Sequence, residues 1–288
     1  MEGQWTFAQV DCYVQNMASW LVENKQDQKY LIQVSWPLEW ESTSDQPIVN
    51  KVNAIYIVDG NAMMLSATHI VRRRRMRKPQ ETSTIIIGIS YPFTRSVYSP
   101  RRNHDLTPHC EKYDSPKTSD EKLNSQEYGV CQTALFGHSF GALFALHARY
   151  TAPTSFDAFL AASPSIWWND GFLLQEEEQF YNMPELHHQP RVWMAYGSLE
   201  QSPIRQRNQS LEEYEKRLAI AKERLMGDNC DQMFVRLLQS GRCNRTAPTG
   251  TSDYRDRRHI TLSLASAYSQ FYHRGTLTST SLLHLHTS

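Results

Sequence analysis

The sequence lacks any apolar run approaching the roughly 18 residues that a membrane-spanning helix requires. Its densest stretch, Ile85 to Ile89, is only strand-sized, so the membrane is not an expected partner. The opening MEGQWTFAQV has neither a basic start nor an apolar core, and no secretory leader is expected. Cysteine is scarce and scattered (Cys12, Cys110, Cys131, Cys230, Cys243), with no C-x-x-C pair, which excludes a zinc ribbon or a disulfide scaffold. Charge of either sign is not in surplus: thirty Lys and Arg balance thirty Asp and Glu. A general nucleic-acid binder would carry a basic excess, so nucleic acid is not an expected partner either. No repeat and no long Gly/Ser linker divides the chain. The reading is a cytoplasmic protein with a single domain over residues 1–275 and a frayed Thr/Ser-rich tail over 276–288.

What is present is an alternation of strand-like and helix-like segments. Tyr30 to Trp36 alternates as a half-buried strand does. Val52 to Val58 and Thr84 to Ser90 are nearly continuous β-branched runs, as in strands covered on both faces. Thr133 to Phe136, Ala158 to Ala162, Val192 to Tyr196 and Met233 to Leu238 add four further candidate strands. A helix is predicted from Ser210, where Ser210 and Glu213 form a capping box. Leu211, Tyr214, Leu218 and Leu225 mark its apolar face. Glu212→Lys216 and Glu213→Arg217 are favourable pairs, and Gly227 is expected to end it. Tyr91 to Lys122 reads as a long loop. The basic run Arg72 to Arg75 with Arg77 and Lys78 reads as a solvated face of a helix continuing from Met63. Buried strands separated by helices predict an α/β architecture: a mostly parallel central sheet with helices on both faces. Functional residues in such sheets collect at the carboxyl ends of the strands.

The segment Thr133 to Tyr150 carries G-x-S-x-G as Gly137-His138-Ser139-Phe140-Gly141, with an apolar strand entering and an Ala-rich apolar helix leaving. That context makes Ser139 a candidate nucleophile on a sharp, strained turn, with Gly137 and Gly141 supplying room. A serine needs a base and an orienting acid, which follow it in the order acid, then His. Glu200 falls just past the strand ending at Tyr196-Gly197 and is the candidate acid. Asp256 is the alternative, and Asp170, Asp228, Asp231 and Asp253 are further carboxylates in range. His259, ahead of a helix-like closing stretch, is the candidate base. His187 and His188 precede the acid, and His284 and His286 sit in the tail. Two backbone amides are candidate oxyanion donors: Phe140, after the serine, and Asn61, after the strand ending Val58-Asp59-Gly60. Trp167 and Trp168, past another strand end, are placed either to wall a substrate pocket or to pack the core. Arg101, Arg102 and His104 in the long loop are candidates to meet substrate oxygens.

These pieces resemble the esterase D-type family of α/β-hydrolases, and within it the IroE-type siderophore esterases of fungi. The resemblance lies in Ile57 to Ala62, the basic helix after it, Gly137 to Gly141, Ala162 to Trp168 and Tyr196 to Gln201, and spans roughly residues 25–275. It implies an α/β-hydrolase fold and a carboxylic ester hydrolase. It also implies hydrolysis of siderophore esters of the hydroxamate or catecholate class, iron-loaded ones included, through an acyl-enzyme and without metal or organic cofactor. Some members of the family rely on Ser and His with a weak third residue. The family's histidine usually sits in an acidic stretch followed by Gly. Here that region reads Asp256-Arg257-Arg258-His259-Ile260-Thr261, so a changed substrate or a reduced rate is an open alternative. Acyl transfer to an alcohol on the same residues, and a catalytically decayed binder, are the other readings.

Overall fold

The computed structural model describes residues 14–40, 51–108 and 130–242, apart from 26, 93–94 and 188. Among the described residues, seven strands form one sheet in the order β1-β2-β4-β3-β5-β6-β7. These are β1 (Met17–Glu23), β2 (Lys29–Ser35), β3 (Val52–Val58), β4 (Ser83–Ser90), β5 (Val130–His138), β6 (Ala158–Ala162) and β7 (Arg191–Ala195). β1 and β2 run antiparallel, β2 meets β4 antiparallel, and β4, β3, β5, β6 and β7 are mutually parallel. The described residues also form six helices: α1 (Gly60–Arg77), α2 (Arg102–Asp105), α3 (Phe140–Thr151), α4 (Trp168–Tyr181), α5 (Leu211–Arg224) and α6 (Met226–Ser240).

The alternation along the central strands explains the two-sided core. Ala134 and Phe136 of β5, Leu160 of β6 and Trp193 of β7 pack with Met63, Met64 and Ala67 of α1 on one face. Ala161, Val192 and Met194 pack on the opposite face with Leu143 and Leu146 of α3, Leu173 and Phe180 of α4, and Met233, Phe234 and Leu237 of α6. Because both faces are covered, these strands read as continuous apolar runs rather than alternating ones. β1 is different. Its Trp20, Leu21 and Val22 are all exposed at the sheet edge, so no burial pattern marked it in the sequence.

Several sequence expectations are corrected. Met233 to Leu238 is helix within α6, not strand: Cys230, Met233, Phe234 and Leu237 are buried while Val235 and Leu238 are exposed, a helical spacing that extends beyond the six residues read as a strand. Leu225, with φ 45°, ends α5 in place of Gly227, which lies inside α6. The predicted capping box does form, but its use of Glu213 leaves Arg217 to donate to the Ile204 carbonyl. Of the predicted apolar face, Leu211 and Leu225 are exposed and Ala221 is the buried residue of α5. The basic run of α1 is not simply a solvated face: Arg72 donates to the carbonyls of Gln15 and Asn16, Arg74 pairs with Glu81 and Arg75 with Glu39. Among the described residues no helix is long and apolar enough to cross a membrane. The closing helix-like stretch and the tail over 276–288 lie outside the described residues.

Candidate active site

The parallel strands deliver their carboxyl ends to one edge of the sheet, where Asn61, Ser139 and Glu200 follow β3, β5 and β7. β3 and β5 are neighbours, so Asp59 and Ser139, which follow them, stand side by side. Ser139 has φ 59° and ψ −116°, a positive-φ conformation that an L-residue adopts only when its surroundings impose it. The two glycines make the turn possible. A Cβ on Gly137 would lie 1.9 Å from the Gly141 carbonyl oxygen, and one on Gly141 would lie 2.8 Å from Val58 Cγ2. Past the turn, α3 begins at Phe140, and the Leu143 N–H donates to the Ser139 carbonyl at 3.0 Å. The first amides of the helix have no intrahelical acceptors and surround the serine with positive partial charge.

The next two strand ends continue the ladder. The Ser139 N–H donates to Ala162 O at 2.9 Å, and the Ser163 N–H to Ala195 O at 2.6 Å. Two serines after β6 thereby enter the site, and sequence reasoning had passed over both. The Ser165 hydroxyl lies 3.3 Å from the Ser139 hydroxyl, and the Ser165 N–H lies 3.4 Å from Ser139 O. Ser163, buried and with φ 49°, donates its hydroxyl to Glu200 Oε1 at 2.6 Å. The Gly197 N–H reaches the same oxygen at 3.2 Å. Glu200 thus stands at the carboxyl end of β7 with its carboxylate held by two donors. Of the competing carboxylates, Asp231 accepts from the Tyr196 hydroxyl at 2.9 Å and Asp170 sits in a left-handed turn at the start of α4. His259, Asp253 and Asp256 lie outside the described residues.

Asn61 occupies the first turn of α1, and its side chain fastens the loop after β4. Its Nδ2 donates to Tyr91 O at 3.0 Å, and its Oδ1 accepts from Tyr91 N at 2.8 Å. Asp59, ahead of α1 with φ 55°, has a buried side chain that takes a two-pronged bond from Arg102, Nε to Oδ1 at 3.0 Å and Nη2 to Oδ2 at 2.7 Å. Burial works against the Arg102 charge, but the Asp59 carboxylate more than offsets it and holds the guanidinium pKa above its usual value. The same guanidinium stands 5.5 Å from the Phe140 ring and 5.0 Å from the Tyr98 ring. Arg101 lies over Tyr30 and Tyr91, donates to Lys29 O at 2.9 Å and pairs with Asp105 at 3.1 Å. Both arginines are therefore tied into the loop, with Arg102 beside the ring of Phe140, the residue after Ser139.

The tryptophan pair divides. Trp168 is buried in the core against Phe172. Trp167 is half-buried, its ring 6.1 Å from that of Phe140, with the Arg224 guanidinium carbon 4.2 Å from its own centroid. Together these elements offer a strained serine at a helix start, a fixed carboxylate two strands away and an aromatic wall, an arrangement suited to acyl transfer. Among the described residues, no group of three or more His, Cys, Asp or Glu is spaced to hold a metal ion.

Comparison with known proteins identifies the family. The profile of the family described as "Putative esterase" matches residues 24–231. A siderophore enterobactin esterase of Emericella nidulans is 42% identical over 267 residues, covering 83% of this chain and 88% of that protein. A siderophore triacetylfusarinine C esterase of Aspergillus fumigatus is 34% identical, covering 87% and 90%. Among solved structures, the siderophore hydrolase EstA from Aspergillus nidulans superposes with a TM-score of 0.83 at 38% identity, over 94% of this chain and 99% of that one. The mostly parallel sheet flanked by helices is accordingly the α/β-hydrolase fold, and the chain belongs to the esterase family that the profile describes.

Proposed function

We propose that this protein is a siderophore esterase working as a serine hydrolase. Ser139 Oγ attacks the ester carbonyl carbon while its proton passes to the His259 imidazole. The amides of Phe140 and Asn61 hold the oxyanion of the tetrahedral intermediate. Collapse breaks the C–O bond; the alcohol leaves with the proton from His259, and the acyl group remains on Ser139. Water then repeats the sequence, giving up a proton to His259, and releases the acid. Glu200 orients the imidazole and stabilises its charged form. The observation that carries this reading is the positive-φ backbone of Ser139, wedged between Gly137 and Gly141 at the start of α3. The Ser163–Glu200 bond supports the choice of acid over Asp256. The names of the relatives support a siderophore ester, of the hydroxamate or catecholate class, as substrate.

The test is substitution of the serine. Ser139→Ala is expected to lower hydrolysis of siderophore esters and of an aryl acetate by about 1,000-fold or more, with the melting temperature retained. A fluorophosphonate should label the wild type and not the variant. An unchanged rate in Ser139→Ala overturns the proposal.

A further inference from the structure

The wall of the site carries a cation that the proposed chemistry does not use. Arg102, Phe140, Trp167 and Arg224 form a row of two rings flanked by two cations: 5.5 Å from the Arg102 guanidinium to Phe140, 6.1 Å between the rings, and 4.2 Å from Trp167 to the Arg224 guanidinium. Phe140 directly follows Ser139, and Trp167 lies two residues past Ser165, whose hydroxyl is 3.3 Å from that of Ser139, so both rings stand on segments that meet at the nucleophile. The row's two cations differ. Arg102 is consumed by Asp59, whose two oxygens it bonds at 2.7 and 3.0 Å. Arg224 is exposed, in the last turn of α5, and among the described residues no carboxylate lies within ion-pair distance of it. Its charge is held in place by stacking on Trp167 and left uncompensated at the rim.

Resting on the esterase reading above, we infer that Arg224, stacked on Trp167, is a specificity-determining residue that favours esters whose iron-chelating arms are anionic. The chemistry of the chelates makes this a sharp distinction. Iron(III) held by three dianionic catecholates is a trianion, whereas iron(III) held by three monoanionic hydroxamates is neutral. The catecholate complex also presents aromatic faces that suit the Trp167–Phe140 wall, and the hydroxamate complex has none. A single guanidinium near a trianion acts on all three charges, so the expected discrimination is on the order of tenfold at low salt. Because the cation is solvent-exposed, ionic strength should erode it.

The experiment compares kcat/KM for a ferric tris-catecholate triester with that for a ferric tris-hydroxamate ester, at low and physiological salt. The proteins are wild type, Arg224→Gln and Arg77→Gln. Arg77 makes the control: it is exposed at the far end of α1, whose 18 residues span about 27 Å, and its loss changes net charge equally. The catecholate-to-hydroxamate ratio should fall about tenfold in Arg224→Gln, through KM more than kcat, and should fall with salt in the wild type. Arg77→Gln should leave the ratio in place. A ratio unmoved by Arg224→Gln, or moved equally by Arg77→Gln, overturns the inference. A parallel arm measures Kd for both chelates by quenching of tryptophan fluorescence, in Ser139→Ala protein with and without Arg224→Gln. If the wild type cleaves neither chelate, the esterase reading fails, and the Kd ratio still decides the role of Arg224: a tenfold fall upholds it and an unchanged ratio rejects it.

Discussion

The Ser163 hydroxyl donates to Glu200 Oε1 at 2.6 Å, joining the carboxyl end of β6 to the carboxyl end of β7. A bond this short to a carboxylate is strong and directional, and it fixes which way the carboxylate faces. Ser163 itself is held by its N–H to Ala195 O, so the anchor is part of the sheet. If Glu200 orients the base, Glu200→Gln should lower kcat about 100-fold and Ser163→Ala about tenfold. Since Ser163 acts through Glu200, adding Ser163→Ala to Glu200→Gln should cost almost nothing more. Steady-state kinetics on the four proteins of this cycle measure the coupling; fully additive losses would show that the two residues work independently.

The Ser139 and Ser165 hydroxyls, 3.3 Å apart, call for a smaller expectation. That separation exceeds the usual 2.5–3.0 Å of an O–H···O bond, so the contact is weak in the resting site. Removing it should loosen the rotamer of Ser139 without removing a charge-stabilising group. Ser165→Ala is expected to slow fluorophosphonate labelling by about fivefold, read by the rate of probe incorporation. A loss of 100-fold or more would give Ser165 a direct part in the chemistry.

Much of this was legible in the sequence because the fold reuses short signals. Buried strands gave unbroken apolar runs, and β3 and β6 begin and end where Val52 to Val58 and Ala158 to Ala162 do. The capping box at Ser210 has its effect within one turn and needs no tertiary partner. The glycines around Ser139 imply close approach whatever surrounds them. Other features depended on the third dimension. The six-residue window at Met233 hid a helical spacing that begins at Cys230. β1 lies at an exposed edge and carries no burial pattern. Ser163, Ser165 and Arg224 gain their interest from neighbours 26 to 57 positions away in sequence, which only the strand order brings together. For Ser163 and Ser165 one usable signal existed, namely their place just past a strand end.

The two described cysteines, Cys131 and Cys230, should differ in their reactivity toward alkylation. Cys230 is buried in α6, and burial, followed by the charges of Asp231 and Glu200, pushes its thiol pKa up to about 12. Cys131 is exposed on β5. At pH 8.5, iodoacetamide should therefore modify the Cys131 peptide and spare the Cys230 peptide until denaturant is added, as read by mass spectrometry. The linkage has a definite sign. An unfolded thiol loses its proton near pH 8.5, while the folded one keeps it to about 12. Between these values the folded state holds more protons, so stability from this group is complete below about pH 8.5 and declines as pH rises toward 12. Urea midpoints between pH 8 and 11 should fall more steeply for wild type than for Cys230→Ala.

The Asp59–Arg102 pair yields a prediction on both stability and rate. The Asp59 side chain is 1% exposed and that of Arg102 13%, so each depends on the other for compensation. Arg102→Ala leaves a carboxylate buried without its cation, and breaking such a pair costs about 3–5 kcal/mol. Arg102→Lys keeps the charge but loses the two-pronged geometry and the flat contact with Phe140, so it should recover less than half of that. Denaturant unfolding of the three proteins measures both values. The Arg102 guanidinium also bridges Asp59, two residues before Asn61, and the ring of Phe140, and the amides of Asn61 and Phe140 are the proposed oxyanion donors. Arg102→Ala should accordingly lower kcat on a small neutral aryl acetate, a substrate whose turnover does not depend on a cation in the wall of the site. If stability falls while that kcat holds, Arg102 supports the fold alone and the oxyanion donors are positioned by the helix starts.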